Sequence, residues 1–327
     1  MDTRIDRRRL AQIALAFASA PLANATRAQS WPGRPVRVVY PYAGGGVGDA
    51  MFRFLEGPLR QKFGQAFFMD IKAGAGGNIG AGEVARAAPD GHTLLMAPTA
   101  NYSVNQYLFK LGFDPLTQFE PIATVANAPL LAVVGPDVAA TSLRQLADLV
   151  RAPGSRFNYG SPGAGSPTHL AGASFALANG NTMEHIAFKG TAPMVQSMLA
   201  GDVQLAFPTL TPVLGQLKAG RLRALAVLAR QRLPELPEVP SVVEAGFPDL
   251  VFGNWWMLAA PRGTDAAVVA RLGAEVRQLL ADPAIQAKFA EIGHVPLIMG
   301  PAESAAFVRA EAAKFKTLIE RTGIRIE

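Results

Sequence analysis

Two glycine-rich stretches carry the chemistry this chain offers. The first, Ala43-Gly44-Gly45-Gly46-Val47-Gly48-Asp49, follows the apolar run Val36–Tyr40 and leads into Met51, Phe52, Leu55 and Leu59 at helical spacing. The second, Ser161-Pro162-Gly163-Ala164-Gly165-Ser166-Pro167-Thr168-His169, likewise parts a short strand from a helical stretch. A strand, a bare loop and a helix start aim unpaired N–H groups and the positive end of a helix dipole at whatever lies above the loop. A tight turn needs one or two glycines for its unusual φ angles, and Gly44, Gly45, Gly46 and Gly48 exceed that. Two such loops facing each other would clamp a small anion. Neither carries a phosphate-cradle lysine, and no segment matches Gly-x-Gly-x-x-Gly; Gly74-x-Gly76-x-x-x-Gly80 resembles a cofactor loop only loosely. No cofactor is expected.

The side chains around the loops admit two uses. Asp49 fits as a helix N-cap, and Ser161, Ser166 and Thr168 serve either as caps or as hydroxyl donors to a carboxylate. His169 beside Ser161 and Ser166 invites a Ser–His hydrolase, but there is no Gly-x-Ser-x-Gly elbow and no acid placed to orient the ring. That enzyme is the alternative to a binding protein. Phe188-Lys189-Gly190-Thr191 forms a third strand-to-helix junction, whose lysine is either a solvated charge or a partner for an anion at the rim. Cysteine is absent, which excludes disulfides and thiol chemistry, and the four histidines are too scattered for a metal site.

The elements that must hold these loops alternate strand and helix from residue 35 onward. Strands are expected at 36–40, 67–71 and 93–97, with helices at 50–63 and 79–88 between them. This βαβαβ rhythm implies a doubly wound sheet with ligands at the C-terminal ends of its strands. A second set runs from about 130 to 227. Three helices, near 265–281, 283–292 and 302–321, close the chain, separated by Asp282-Pro283 and Gly300-Pro301. The expected organisation is one lobe from 29–127 plus 250–327 and a second from 128–249, with a ligand in the cleft between them.

Arg7-Arg8-Arg9, an apolar stretch from Leu10 to about Ala20 and small residues up to Ala28 read as an export signal over residues 1–28, cleaved near Ala28. The apolar stretch falls well short of the ~20 residues that span a bilayer. The arginines leave the general and the twin-arginine routes both open. Residues 1–28 hold five arginines against two aspartates, which is +3 of the formal +6. The remaining charge is dispersed, without a basic run interleaved with aromatics, and argues against nucleic-acid binding.

Taken together, the segments resemble the extracytoplasmic solute receptors of tripartite tricarboxylate transporters, the Bug family. The resemblance covers nearly the whole mature chain. It rests on Trp31-Pro32-Gly33-Arg34-Pro35-Val36, Gly45-Gly46-x-x-Asp49-x-x-x-Arg53, Gly74-Ala75-Gly76-Gly77-Asn78-Ile79-Gly80, Ala88-Pro89-Asp90-Gly91-His92, the Tyr159–Ser166 loop with His169-Leu170, Phe188-Lys189-Gly190, Gly220–Val227 and Leu236-Pro237-Glu238-Val239-Pro240-Ser241.

The resemblance implies an α/β fold of two lobes of the periplasmic-binding-protein type (type II-like), each a mostly parallel sheet flanked by helices, closing on one small carboxylate. It implies a monomeric periplasmic receptor without catalytic activity, working with a membrane permease of one large and one small subunit; a module reporting to a sensor is the other use of such a fold. It places the ligand against Gly45 to Asp49, Thr99-Ala100-Asn101 and Ser161 to Ser166. Some positions depart from the family's pattern: Val47 and Gly48 replace a frequent Ser/Thr pair, Pro208 a frequent Asp, Ala173 a frequent Glu and His92 a typical Tyr. Loss of the acid at Pro208 argues against amine-bearing ligands. With Tyr42, Phe188 and Phe207 expected to line the cleft, the ligand is expected to be a less polar or aromatic carboxylate.

Overall fold

The computed structural model describes residues 31–45, 47–180 and 183–325. The export signal expected over residues 1–28, its cleavage near Ala28 and the role expected of Gly46 lie outside them.

Runs of β-branched and apolar residues form β1 (Val36–Tyr40), β2 (Phe67–Ile71) and β3 (Thr93–Pro98). Between them lie α1 (Val47–Phe63) and α2 (Asn78–Ala85), and α3 (Asn105–Leu108) follows β3. β1 pairs in parallel with both neighbours. The sheet then turns antiparallel through β10 (Gly253–Pro261), β4 (Phe119–Pro129) and β11 (Val295–Met299), giving the order β11-β4-β10-β3-β1-β2.

The second sheet repeats the plan. β6 (Asn158–Ser161) lies parallel between β7 (Glu184–Ala187) and β8 (Leu205–Ala206), followed antiparallel by β5 (Leu131–Val134) and β9 (Arg223–Val227). Its helices are α4 (Leu143–Arg151), α5 (Pro167–Ala178), α6 (Thr191–Ala200) and α7 (Leu214–Lys218). In each half the loop leaving the middle parallel strand, β1 or β6, opens at that strand's C-terminal end. This is where an α/β sheet presents bare backbone to a ligand.

The sheets are therefore more mixed than the βα rhythm suggests, with three parallel strands each and an antiparallel flank. The flank exists because the chain crosses between sheets there. β4 runs into β5 with Leu130 alone between them, and residues 228–252 lead from β9 back to β10. Leu130, Leu228 and Phe252 are joined by backbone bonds: Leu130 N–H donates to Phe252 O (3.1 Å), Leu228 N–H to Leu130 O (2.8 Å) and Phe252 N–H to Leu228 O (2.9 Å).

Three helices finish the chain: α8 (Ala266–Leu280), α9 (Pro283–Glu291) and α10 (Pro301–Thr322). Asp265 and Asp282 cap the first two by accepting from Ala267 and Ala284 N–H, both at 2.8 Å. α10 packs on both sheets. Ser304 near its start accepts from the Thr124 N–H (2.8 Å) of β4, while Phe315, Leu318 and Ile319 join the core of the second sheet with Leu146, Phe175 and Phe207. Among the described residues no helix is long and apolar enough to cross a membrane.

Gly172 in α5 shows how tightly the second half is packed, since a Cβ there would run into the buried Tyr159 ring. Helix propensity favours alanine over glycine by about 1 kcal/mol, whereas overpacking a rigid core costs about 1–3 kcal/mol. Gly172→Ala is expected to lower the unfolding free energy in urea, and a rise would show that the ring yields freely.

Candidate functional site

The two loops face one another across a cleft of about 690 Å³. One wall belongs to the first sheet, with Tyr40, Tyr42, Val47, Ala100 and Trp256. The other is built from Gly163, Ala164, Gly165, Ser166, Thr191 and Pro208. Val47, Thr168 and Thr191 stand in the first turns of α1, α5 and α6, so three helix N-termini converge on one space. No lysine, arginine, aspartate or glutamate among the described residues lines it. Positive potential in the cleft therefore comes from backbone dipoles.

Several glycine N–H groups that the sequence offers to a ligand are instead bound within the protein. Gly45 N–H donates to the Asp49 carboxylate (3.0 Å), which Arg53 also holds through Nε (3.0 Å). Asp49 is thus no N-cap: α1 begins two residues earlier, and the buried carboxylate reaches back across the loop. The Gly45 backbone bond and Arg53 hold its pKa below the usual carboxylate range against the opposing effect of burial. Gly48 lies against the Tyr40 and Trp256 rings, with no room for a Cβ.

In the second loop Gly163 N–H donates to Ser161 Oγ (3.2 Å) and Gly165 N–H to His169 Nδ1 (3.0 Å). Ala164 N–H, between them, meets no acceptor among the described residues. Gly190 N–H is spent on the Pro162 carbonyl (3.1 Å), and Gly190 precedes Thr191 as an N-cap without a side-chain bond. Lys189 is exposed outside the lining.

The fully buried Thr99 and Asn101 side chains likewise serve the scaffold, leaving Ala100 to line the cleft. Thr99 Oγ1 accepts from Trp255 N–H (2.8 Å), tying the end of β3 to β10. Asn101 accepts from the Tyr42 hydroxyl (2.9 Å) and donates to the Gly76 carbonyl (3.2 Å).

Behind the second loop, His169 and His185 stack with ring centroids 3.6 Å apart and planes 7° apart. Each ring holds one end of the loop, His169 through Gly165 and His185 through a 2.7 Å contact from Nε2 to Ser161 Oγ. Ser161 Oγ also lies 2.9 Å from the Gly163 carbonyl, to which Ser166 donates (2.7 Å). His169 Nδ1 is occupied as an acceptor, and no carboxylate among the described residues bonds either ring, so the acid that orients a hydrolase histidine is missing.

Phe207 is in the core and Phe188 packs against a second cluster, so neither of these expected aromatics lines the cleft. Tyr40, Phe109 and Trp256 supply aromatic wall alongside Tyr42. Trp256 reads in sequence as an ordinary buried strand residue, and His294 as one histidine among four. Nothing in the local pattern marks either one, because their position in the cleft follows from sheet order.

A fold of two three-stranded parallel units, each with an antiparallel flank and a loop site between them, defines the two-lobed periplasmic-binding-protein class. The family described as "Tripartite tricarboxylate transporter family receptor" matches residues 51–324, and the chain belongs to it. Protein BugT of Bordetella pertussis is 31% identical over 322 residues, covering 98% of this chain and 99% of its own length. An R. palustris protein solved with adipate superposes with a TM-score of 0.77 at 32% identity, covering 90% of this chain and all of its own. MatC from Rhodopseudomonas palustris, solved with bound malate, gives 0.72 at 29% identity, covering 88% of this chain and all of its own. Membership makes this chain a solute receptor and not an enzyme, which disposes of the hydrolase alternative.

The buried imidazoles make stability depend on pH. Burial, and then the neighbouring His185, push the His169 pKa down to about 3, and burial lowers those of His185 and His294. The unfolded chain, with histidine pKa near ~6.5, binds more protons below that value, so folding stability is complete above it and falls as pH drops. His169 alone corresponds to about 2 kcal/mol lost by about pH 5. Urea unfolding should show a plateau above neutrality and a decline below, shallower in His169→Gln; an unchanged free energy down to about pH 5 would contradict the neutral pair.

Proposed function

We propose that this protein is an exported periplasmic receptor, with its signal cleaved near Ala28. It binds a small carboxylate as a monomer between a lobe of residues 29–127 plus 250–327 and a lobe of 128–249, and delivers it to a tripartite tricarboxylate-type permease. The convergence of the α1, α5 and α6 N-termini on a cleft that, among the described residues, has no ionised side chain in its lining carries this reading. A carboxylate gains from those dipoles and from uncapped N–H groups at Ala164 and the start of α6. An ammonium group has no counter-ion there, since Pro208 stands on the wall and Asp49 is held by Arg53. The structures holding adipate and malate support the same ligand class. Micromolar affinity corresponds to about 8 kcal/mol, within reach of several charge-assisted hydrogen bonds at about 1.5–3 kcal/mol each with apolar burial added. Contact with both lobes favours the closed form.

Ala164 is exposed on the cleft wall, so Ala164→Asp adds a like charge at little structural cost. In a thermal-shift screen against aliphatic, hydroxy and aromatic acids, the variant should lose the ligand-induced rise in Tm while its ligand-free Tm stays within about 2 °C. An undiminished shift would remove this loop from the site. Aspartate and glutamate should bind more weakly than their amine-free counterparts in calorimetry, and tighter binding would refute the absence of an ammonium site.

A further inference from the structure

We propose that His294 selects carboxylates that carry a hydroxyl. The assignment rests on the carboxylate reading above and adds a requirement to it.

His294 is 5% exposed and lines the cleft. Its Nδ1 lies 2.7 Å from the Ile292 carbonyl. A carbonyl only accepts, so Nδ1 carries the ring proton, and burial keeps the imidazole neutral. Nε2 is then a bare acceptor, and no donor among the described residues reaches it. Surrounding bonds hold this segment in place. Ile292 O also accepts from Thr211 Oγ1 (2.9 Å) of the second half, and His294 N–H donates to Phe289 O (2.9 Å).

The Trp256 Nε1–H is sealed from solvent, whereas His294 Nε2 is not, so His294 presents to the cleft it lines an acceptor that a ligand donor reaches.

A carboxylate supplies acceptors alone and leaves His294 Nε2 unmet. An ammonium would donate, but among the described residues no acid lines the cleft to balance its charge. A hydroxyl donates and accepts while bringing no charge.

Calorimetry near neutral pH with pairs differing by one hydroxyl tests this directly: malate against succinate, lactate against propionate, hydroxybenzoate against benzoate. At least one pair should bind, with the hydroxy acid favoured by about tenfold. His294→Leu should bring that ratio to about one, whatever change it makes to both affinities in common. His294→Gln, which restores an acceptor, should keep most of the preference. Equal affinities in the unaltered protein, or a preference that survives His294→Leu, would overturn the assignment and leave the carboxylate reading standing. Failure of every acid in the set to bind would remove both.

Discussion

Gly45, Gly163 and Gly165 each give their N–H to a side chain at most four residues away, on the strand or helix that flanks the loop: Asp49, Ser161 and His169. This constraint decides what the cleft offers. Glycines let the loops adopt positive φ, as at Gly45 (78°) and Gly165 (75°), but freedom of that kind would also let them collapse. The side-chain acceptors fix the shape. They leave exposed N–H groups at Ala164 and the start of α6, with the field of three helix termini behind them. An anion meets a preorganised surface whose polar groups need no reorganisation on binding. Neutrality of the imidazole stack belongs to the same design, since a protonated His169 has no lone pair at Nδ1 for Gly165.

The two halves that carry the loops are joined by few covalent crossings and one shared helix. Leu130 and the 228–252 segment pass side by side, so a change in the angle between sheets concentrates on a short stretch of backbone. α10 spans that stretch. Lys314 on it donates to the Val251 carbonyl (2.6 Å) and sits 4.0 Å from the centre of the Phe252 ring, beside Glu311. Burial lowers the lysine's pKa, opposed by Glu311, so the contact combines a hydrogen bond with a partly desolvated cation over an aromatic face. Polar and apolar contacts from one helix thus hold the joint while the loops face the ligand.

Sequence periodicity revealed the parallel strands of the first sheet well: β1 and β2 begin and end where their patterns predict. Strong β-branched runs and Pro or Gly boundaries explain that success. β4 and β11 escaped notice. β4 contains Pro121 and Pro129 and bulges against β10, and β11 is a half-exposed edge strand, so neither has a clean period. The antiparallel flank that they form depends on long-range pairing, which local pattern does not encode. At the site, the loops and their glycines were legible, because bare backbone before a helix has a recognisable composition. The roles of Thr99, Asn101 and Ser161 were not, since a polar residue in a loop reads alike whether it faces a ligand or ties down a neighbouring carbonyl. Trp256 and His294 were the larger omission, as two residues far apart in sequence come to line one cleft only through the sheet order.

A crystal structure of the protein with the acid that co-purifies with it tests the central claim most directly. The account predicts a carboxylate between the two glycine loops, its oxygens about 3 Å from N–H groups in the first turns of at least two of α1, α5 and α6. A ligand lodged outside that cleft, or a carboxylate gripped there by an arginine or lysine side chain, would contradict it.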